Sequence, residues 1–82
     1  MSVADRAISI ICDQLSVSEE AVTPDANFAN DMGADDVLLV ELRWRFEEAF
    51  DIQIPDDDAE KLFSSPLSKV QDTINYLEGR LG

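Results

Sequence analysis

Apolar positions along this chain recur at helical spacing, and nowhere do they alternate as in a half-buried strand. Ala7, Ile10 or Ile11, and Leu15 predict a first helix over about residues 3–15. Ser2 is its expected N-cap, with Asp5 three residues on as a short-armed capping box. A second helix is expected over about 37–50, with Asp36 as its N-cap. Ile54-Pro55-Asp56 stops the chain and restarts it, and a short third helix fits about 57–63. The last helix is expected to begin near Ser65-Pro66, because proline suits the first helical position. Its Leu67, Val70, Ile74, Leu77 and Leu81 step by 3 and 4 and form a one-face stripe, and Arg80 complements the dipole at its end. Between the first two helices lie about 20 residues, 16–35, with turn formers at Thr23-Pro24-Asp25 and Asn30-Asp31-Met32-Gly33. A structureless stretch of that length is unusual in a compact domain, so Val17, Val22, Phe28 and Met32 are expected to pin it to the core. The fold class is therefore all-α, in a single domain over 1–82.

The second helix carries two apolar faces. At about 100° per residue, Leu39, Leu42, Phe46, Ala49 and Phe50 fall on one side, the expected core stripe. On the other lie Val37, Val40 and Trp44, flanked by the acids Glu41, Glu47 and Glu48. Such a helix is either packed on both sides or offers one side to a partner. So small a domain has few helices to cover both faces, and an apolar stripe with a charged rim centred on tryptophan suits a recognition surface.

Charge narrows the partner. Six Lys and Arg stand against 18 Asp and Glu, a formal net charge of −12 on 82 residues. A nucleic-acid binder needs cations to displace phosphate counterions, and an anionic membrane surface would repel this chain, so neither is expected. Partners should present a basic, partly apolar docking surface. With no His, imidazole catalysis and ligation are excluded, and lone Cys12 reads as a small apolar filler. The acids Asp31, Asp35 and Asp36, and Asp56 to Asp58, lack the spacing of a calcium loop: counting from Asp25, Ala29 stands where an oxygen ligand is needed. No metal site is expected, only diffuse cation binding that relieves self-repulsion. Nothing approaches the roughly 20 apolar residues of a membrane span. The start, Met1 to Arg6, lacks the layout of a secretory signal. A cytoplasmic protein is expected, although a chain trimmed after import would read the same.

The run Asp25-Ala26-Asn27-Phe28, then Asn30-Asp31-Met32-Gly33-Ala34-Asp35, Val40-Glu41-Leu42, Phe46 through Asp56, and Asp58-Ala59-Glu60-Lys61-Leu62 closely resembles an acyl carrier protein. The resemblance covers nearly the whole chain, including Ile74-Asn75-Tyr76, with 62–70 a few residues longer than usual. It implies a four-helix bundle with a long first loop and a short third helix. It also implies a serine at the head of the second helix that carries a phosphopantetheine arm, and partners among the enzymes of fatty-acid or polyketide synthesis.

At that serine the chain departs from the family. The matching run is Gly33-Ala34-Asp35-Asp36-Val37, so Asp36 occupies the attachment position. A carboxylate has no hydroxyl to attack the phosphoanhydride of coenzyme A, and no Ser or Thr lies between Asn30 and Lys61. Ser64, Ser65 and Ser68 sit in another context. The expectation is a carrier-like docking module with no phosphopantetheine and no catalytic residues, acting through Val37, Val40, Glu41, Trp44, Glu47 and Glu48. The alternative is a genuine carrier whose serine has been replaced, by nature or by design. Leu38, Arg43, Trp44 and Arg45 also depart from the usual acidic and aliphatic pattern, which predicts a less acidic docking helix and a dedicated partner.

Overall fold

The structure is a computed structural model that describes residues 2–81; Met1 and Gly82 lie outside the described residues. Five helices follow in order: α1 Val3–Leu15, α2 Phe28–Met32, α3 Asp36–Phe50, α4 Asp56–Ala59 and α5 Val70–Leu81. A 3₁₀ turn at Glu19–Ala21 follows α1, and α4 opens into a π turn over Glu60–Ser64. There is no strand among the described residues, so the all-α reading holds.

α1 begins where the cap was expected: Ser2 Oγ accepts the Asp5 N–H at 3.1 Å. Ala7, Ile11 and Leu15 are buried, on the face that packs against α3 and α5. Cys12 is half-buried beside that face, and burial first, then the charge of Glu19, raises its thiol pKa. At the centre of the bundle the Phe63 ring lies 5.7 Å from that of Phe28 and 6.1 Å from that of Phe46. Truncating such a buried ring to alanine costs about 3–5 kcal/mol.

The long connection is built rather than loose. Val22, Phe28 and Met32 are buried and Val17 is half-buried, as the pinning argument required, joined by Ala26 and Ala34. Phe28–Met32 is helical, which the sequence reading lacked, and its cap is the buried Asn27. The Asn27 Oδ1 accepts the N–H groups of Ala29 and Asn30 at 3.1 and 3.0 Å. Its Nδ2 donates to the carbonyls of Ser68 and Ser65 at 2.8 and 3.2 Å.

That amide explains a second correction. The last helix starts at Val70, not near Ser65-Pro66. Residues 65–68 instead form a turn closed by Ser68 Oγ donating to the Ser65 carbonyl at 2.9 Å and held by Asn27. Leu67 therefore leaves the stripe and is 85% exposed, and Leu81 is exposed as well, while Val70, Ile74 and Leu77 are buried. The first N–H groups of α5 find partners outside the helix: Val70 donates to the Ala26 carbonyl at 2.9 Å and Gln71 to that of Pro24 at 3.0 Å. Asp72 accepts the Lys69 N–H at 3.0 Å, the returning half of a capping box.

α3 ends on Asp51, which adopts the left-handed conformation at φ 54. A side chain there is strained, and a carboxylate at a helix C-terminus opposes the dipole. Asp51→Gly is expected to raise stability by about 0.5–1.5 kcal/mol. Urea denaturation reads this directly; an unchanged or lower midpoint would show that Asp51 contributes something the backbone geometry does not reveal.

Candidate functional site

The head of α3 sets the site. Gly33, at φ 67, ends α2 in the left-handed conformation, and its N–H returns to the Phe28 carbonyl. This turns the chain so that Asp35 stands immediately before α3. Asp35, not Asp36, is the N-cap: its Oδ1 accepts the Leu38 N–H at 2.8 Å. Asp36 is the first helical residue, and α3 begins one residue earlier than expected. Asp36 is exposed, and its side chain makes no hydrogen bond or ion pair among the described residues. Its charge still gains from the helix N-terminus.

Leu39, Leu42, Phe46 and Phe50 are buried and Ala49 is half-buried, so one face of α3 is core. The other is open: Val37 is 65%, Val40 44% and Trp44 61% exposed. These three line a shallow groove that Gln14 of α1 also borders. Asp36, Glu41 and Glu48 stand at its edges.

Three of the charges on α3 are committed inside the fold. Arg43 reaches away from the groove to pair with Asp56 Oδ1 at 2.8 Å and to donate to the Ile54 carbonyl. Its buried Nε lies 4.0 Å from Glu47 without a hydrogen bond. Glu47 in turn accepts the Ile54 N–H at 2.8 Å, so this acid holds the α3–α4 connection. Arg45 pairs with Asp13 at 2.8 Å and donates to Gln14 at 3.3 Å, tying α3 to α1. The arginines that suggested a less acidic docking helix are thus neutralised locally, and the acids along the groove stay uncompensated.

A second crevice opens between α3 and the α4 segment, with Asp36, Leu39, Val40 and Phe63 among its lining. Ser64 lines it too. The sequence placed that hydroxyl far from Asp36, and only the fold brings the two to one crevice. Nearby, the Tyr76 hydroxyl donates to Asp58 at 2.7 Å and accepts from Arg80 at 2.7 Å. Burial and then the bond to Asp58 raise its pKa. Among the described residues no group of His, Cys, Asp and Glu is arranged to hold a metal ion. No helix is long and apolar enough to cross a membrane.

Residues 5–68 match the family model described as a phosphopantetheine attachment site. The chain is also 48% identical over 80 residues to a protein named acyl carrier protein from Nitratidesulfovibrio vulgaris (strain DSM 19637 / Miyazaki F). The match spans 98% of this chain and 99% of that relative.

The geometry separates the two neighbouring aspartates. Asp35→Ala should cost about 1 kcal/mol through the lost cap, while Asp36→Ala should cost less than about 0.5 kcal/mol, the exposed dipole interaction alone. Parallel urea titrations decide it; equal losses, or a larger loss at Asp36, would return the cap to Asp36.

Proposed function

The chain belongs to the acyl carrier protein family, and from that premise we propose that it is a member that docks on partners but does not take the prosthetic arm at the usual position. It is a carrier-type protein, not an enzyme. The observation that carries the reading is the chemistry at Asp36. The family's arm is joined through a phosphate ester, which needs an alcohol oxygen. Asp36 offers a carboxylate, whose acyl phosphate would be hydrolytically labile. The residues present at the head of α3 do not fit the group.

Docking rests on the open face of α3. Trp44 and Val40 supply apolar area, and Glu41 and Glu48, with Asp36, supply uncompensated negative charge. A partner with a basic, partly apolar surface complements this face, and enzymes of fatty-acid or polyketide synthesis are the natural class within the family. A lone half-buried cysteine suits a reducing compartment, and we place the protein in the cytoplasm. One observation favours the second reading, a carrier whose serine has been replaced. The likeness to the named relative spans 98% of this chain.

Intact mass separates the readings. Incubated with coenzyme A and a phosphopantetheinyl transferase, the protein should keep the mass of its bare polypeptide. A gain of one phosphopantetheine would overturn the proposal, and peptide mapping would then assign it to Ser64 or another hydroxyl. Asp36→Ser in the same reaction measures history: a gain supports a recent or deliberate replacement, and no gain supports a docking face that has diverged from transferases.

The docking face also makes a stability prediction. With Trp44 mostly in solvent, Trp44→Ala should shift stability by no more than about 1 kcal/mol. A loss above about 3 kcal/mol on chemical denaturation would make Trp44 a core residue and remove it from the interface.

A further inference from the structure

Arg43 leaves one of its nitrogens without a partner in the joint between α3 and α4. Nη1 pairs with Asp56 Oδ1 at 2.8 Å, and Nη2 donates to the Ile54 carbonyl. Nε is buried and makes no hydrogen bond. Facing it is the carboxylate of Glu47, one turn on, with Oε2 4.0 Å away. That same oxygen accepts the Ile54 N–H at 2.8 Å. Two donors therefore contest one oxygen, and the buried cationic one goes without. Among the described residues, Arg43 Nε and Thr73 Oγ1 are the buried side-chain polar atoms that lack a partner, and of the two only Arg43 carries a charge.

A buried donor left unpaired is costly, and more so on a charged group. Arg43 and Glu47 have the i, i+4 spacing at which opposite charges meet on a helix. A movement of about 1 Å brings Nε and Oε2 within hydrogen-bond distance. Asp56 loses little when Arg43 leaves it, because its side chain is 93% exposed and is taken up by water.

We propose that Arg43 is a toggle between Asp56 and Glu47, and that it straps the first turn of α4 to α3 in one position and frees it in the other. In the strapped position the guanidinium holds Asp56, and Glu47 holds the Ile54 N–H. In the released position Nε takes Glu47, the Ile54 N–H loses its acceptor, and Asp56 is free. Arg43 and Asp56 both line the crevice between α3 and the α4 segment, so the strap closes part of its mouth. The piece set free is short. Ile54 is buried on one side of it. On the other the Tyr76 hydroxyl donates to Asp58 at 2.7 Å, with Leu62 and Phe63 in the core beyond. Release moves residues 55–57 and widens the crevice while α4 keeps its seat. The trigger is a cation that takes the Asp56 carboxylate from Arg43, since a group that binds only the released form shifts the balance toward it. The toggle is independent of how position 36 is read.

The Ile54 amide reports the switch directly, because it is bonded in the strapped position and bare in the released one. Asp56→Asn stands in for an Asp56 whose charge has been taken. Followed by NMR-detected hydrogen exchange at neutral pH, the Ile54 amide of this variant should exchange at least about tenfold faster than in the native chain. The amides of Ile74 and Leu77 in α5 should stay within about twofold. Adding Glu47→Gln keeps an acceptor for the Ile54 N–H and removes the charge that draws Nε. The double variant should return Ile54 to within about threefold of its native rate. An unchanged Ile54 rate in Asp56→Asn overturns the proposal. Acceleration that persists in the double variant overturns it too, because Asp56 is then a structural tie with no link to Glu47. Acceleration shared equally by Ile74 and Leu77 is unfolding of the whole domain and has the same consequence.

Discussion

One buried amide organises the part of the chain from which the site is hung. Asn27 spends its oxygen on the first N–H groups of α2 and its nitrogen on the 65–68 turn. Each such bond contributes only about 1 kcal/mol net, but a buried amide left without partners costs about 1–3 kcal/mol. The connection must therefore bring residues 65–68 to Asn27 or forfeit the burial of the neighbours it carries. Phe28 then meets the Phe63 ring, α2 ends at Gly33, and the chain arrives at Asp35 aimed along α3. The position of α3 is thus decided in part by a residue whose hydrogen bonds all go elsewhere.

What could be read in advance follows from how local each signal is. The first helix was legible to its ends because cap, periodicity and apolar face are all written within its own residues. The outward stripe of α3 was legible in the same way, as a matter of angle on a wheel. The start of the last helix was not. Ser65-Pro66 has good local chemistry for a helix start, but the Asn27 amide and the carbonyls of Pro24 and Ala26 favour a turn there and a start at Val70. Those partners lie about forty residues away in sequence. α2 escaped notice because its five residues are too few to show a period, and its apolar Phe28 and Met32 read equally well as loop anchors. Glu47 looked like one more rim acid, and only the fold brings the Ile54 N–H beneath it.

Electrostatics explains how so acidic a chain closes at all. Arg6 covers the end of α3, donating to the Ala49 carbonyl at 2.7 Å with its guanidinium 4.6 Å from the centre of the Phe50 ring. Arg43 and Arg45 fix α3 to α4 and α1, Lys69 lies 3.6 Å from Asp25, and Arg80 donates to the Gln53 carbonyl at 2.8 Å. Most of these pairs are exposed, so each contributes little to stability taken alone. Their larger effect is on what remains. With the scarce cations drawn to the joints between elements, the net negative charge concentrates on the faces that no element covers, and the head of α3 is one of them.

This division of labour bears on the proposal that the head of α3 departs from its family while the fold does not. Two adjacent aspartates stand there, and only the first is structural. The cap sits at Asp35, so the next side chain can change between hydroxyl and carboxylate with little consequence for the helix: both are small, both tolerate a first-turn position, and the carboxylate gains slightly from the dipole. The constraint on position 36 is then almost entirely chemical. An alcohol there permits a phosphate ester; a carboxylate permits only salt bridges and hydrogen bonds. A fold that keeps its structural atom and its reactive atom on neighbouring residues can exchange one kind of partnership for another without being rebuilt.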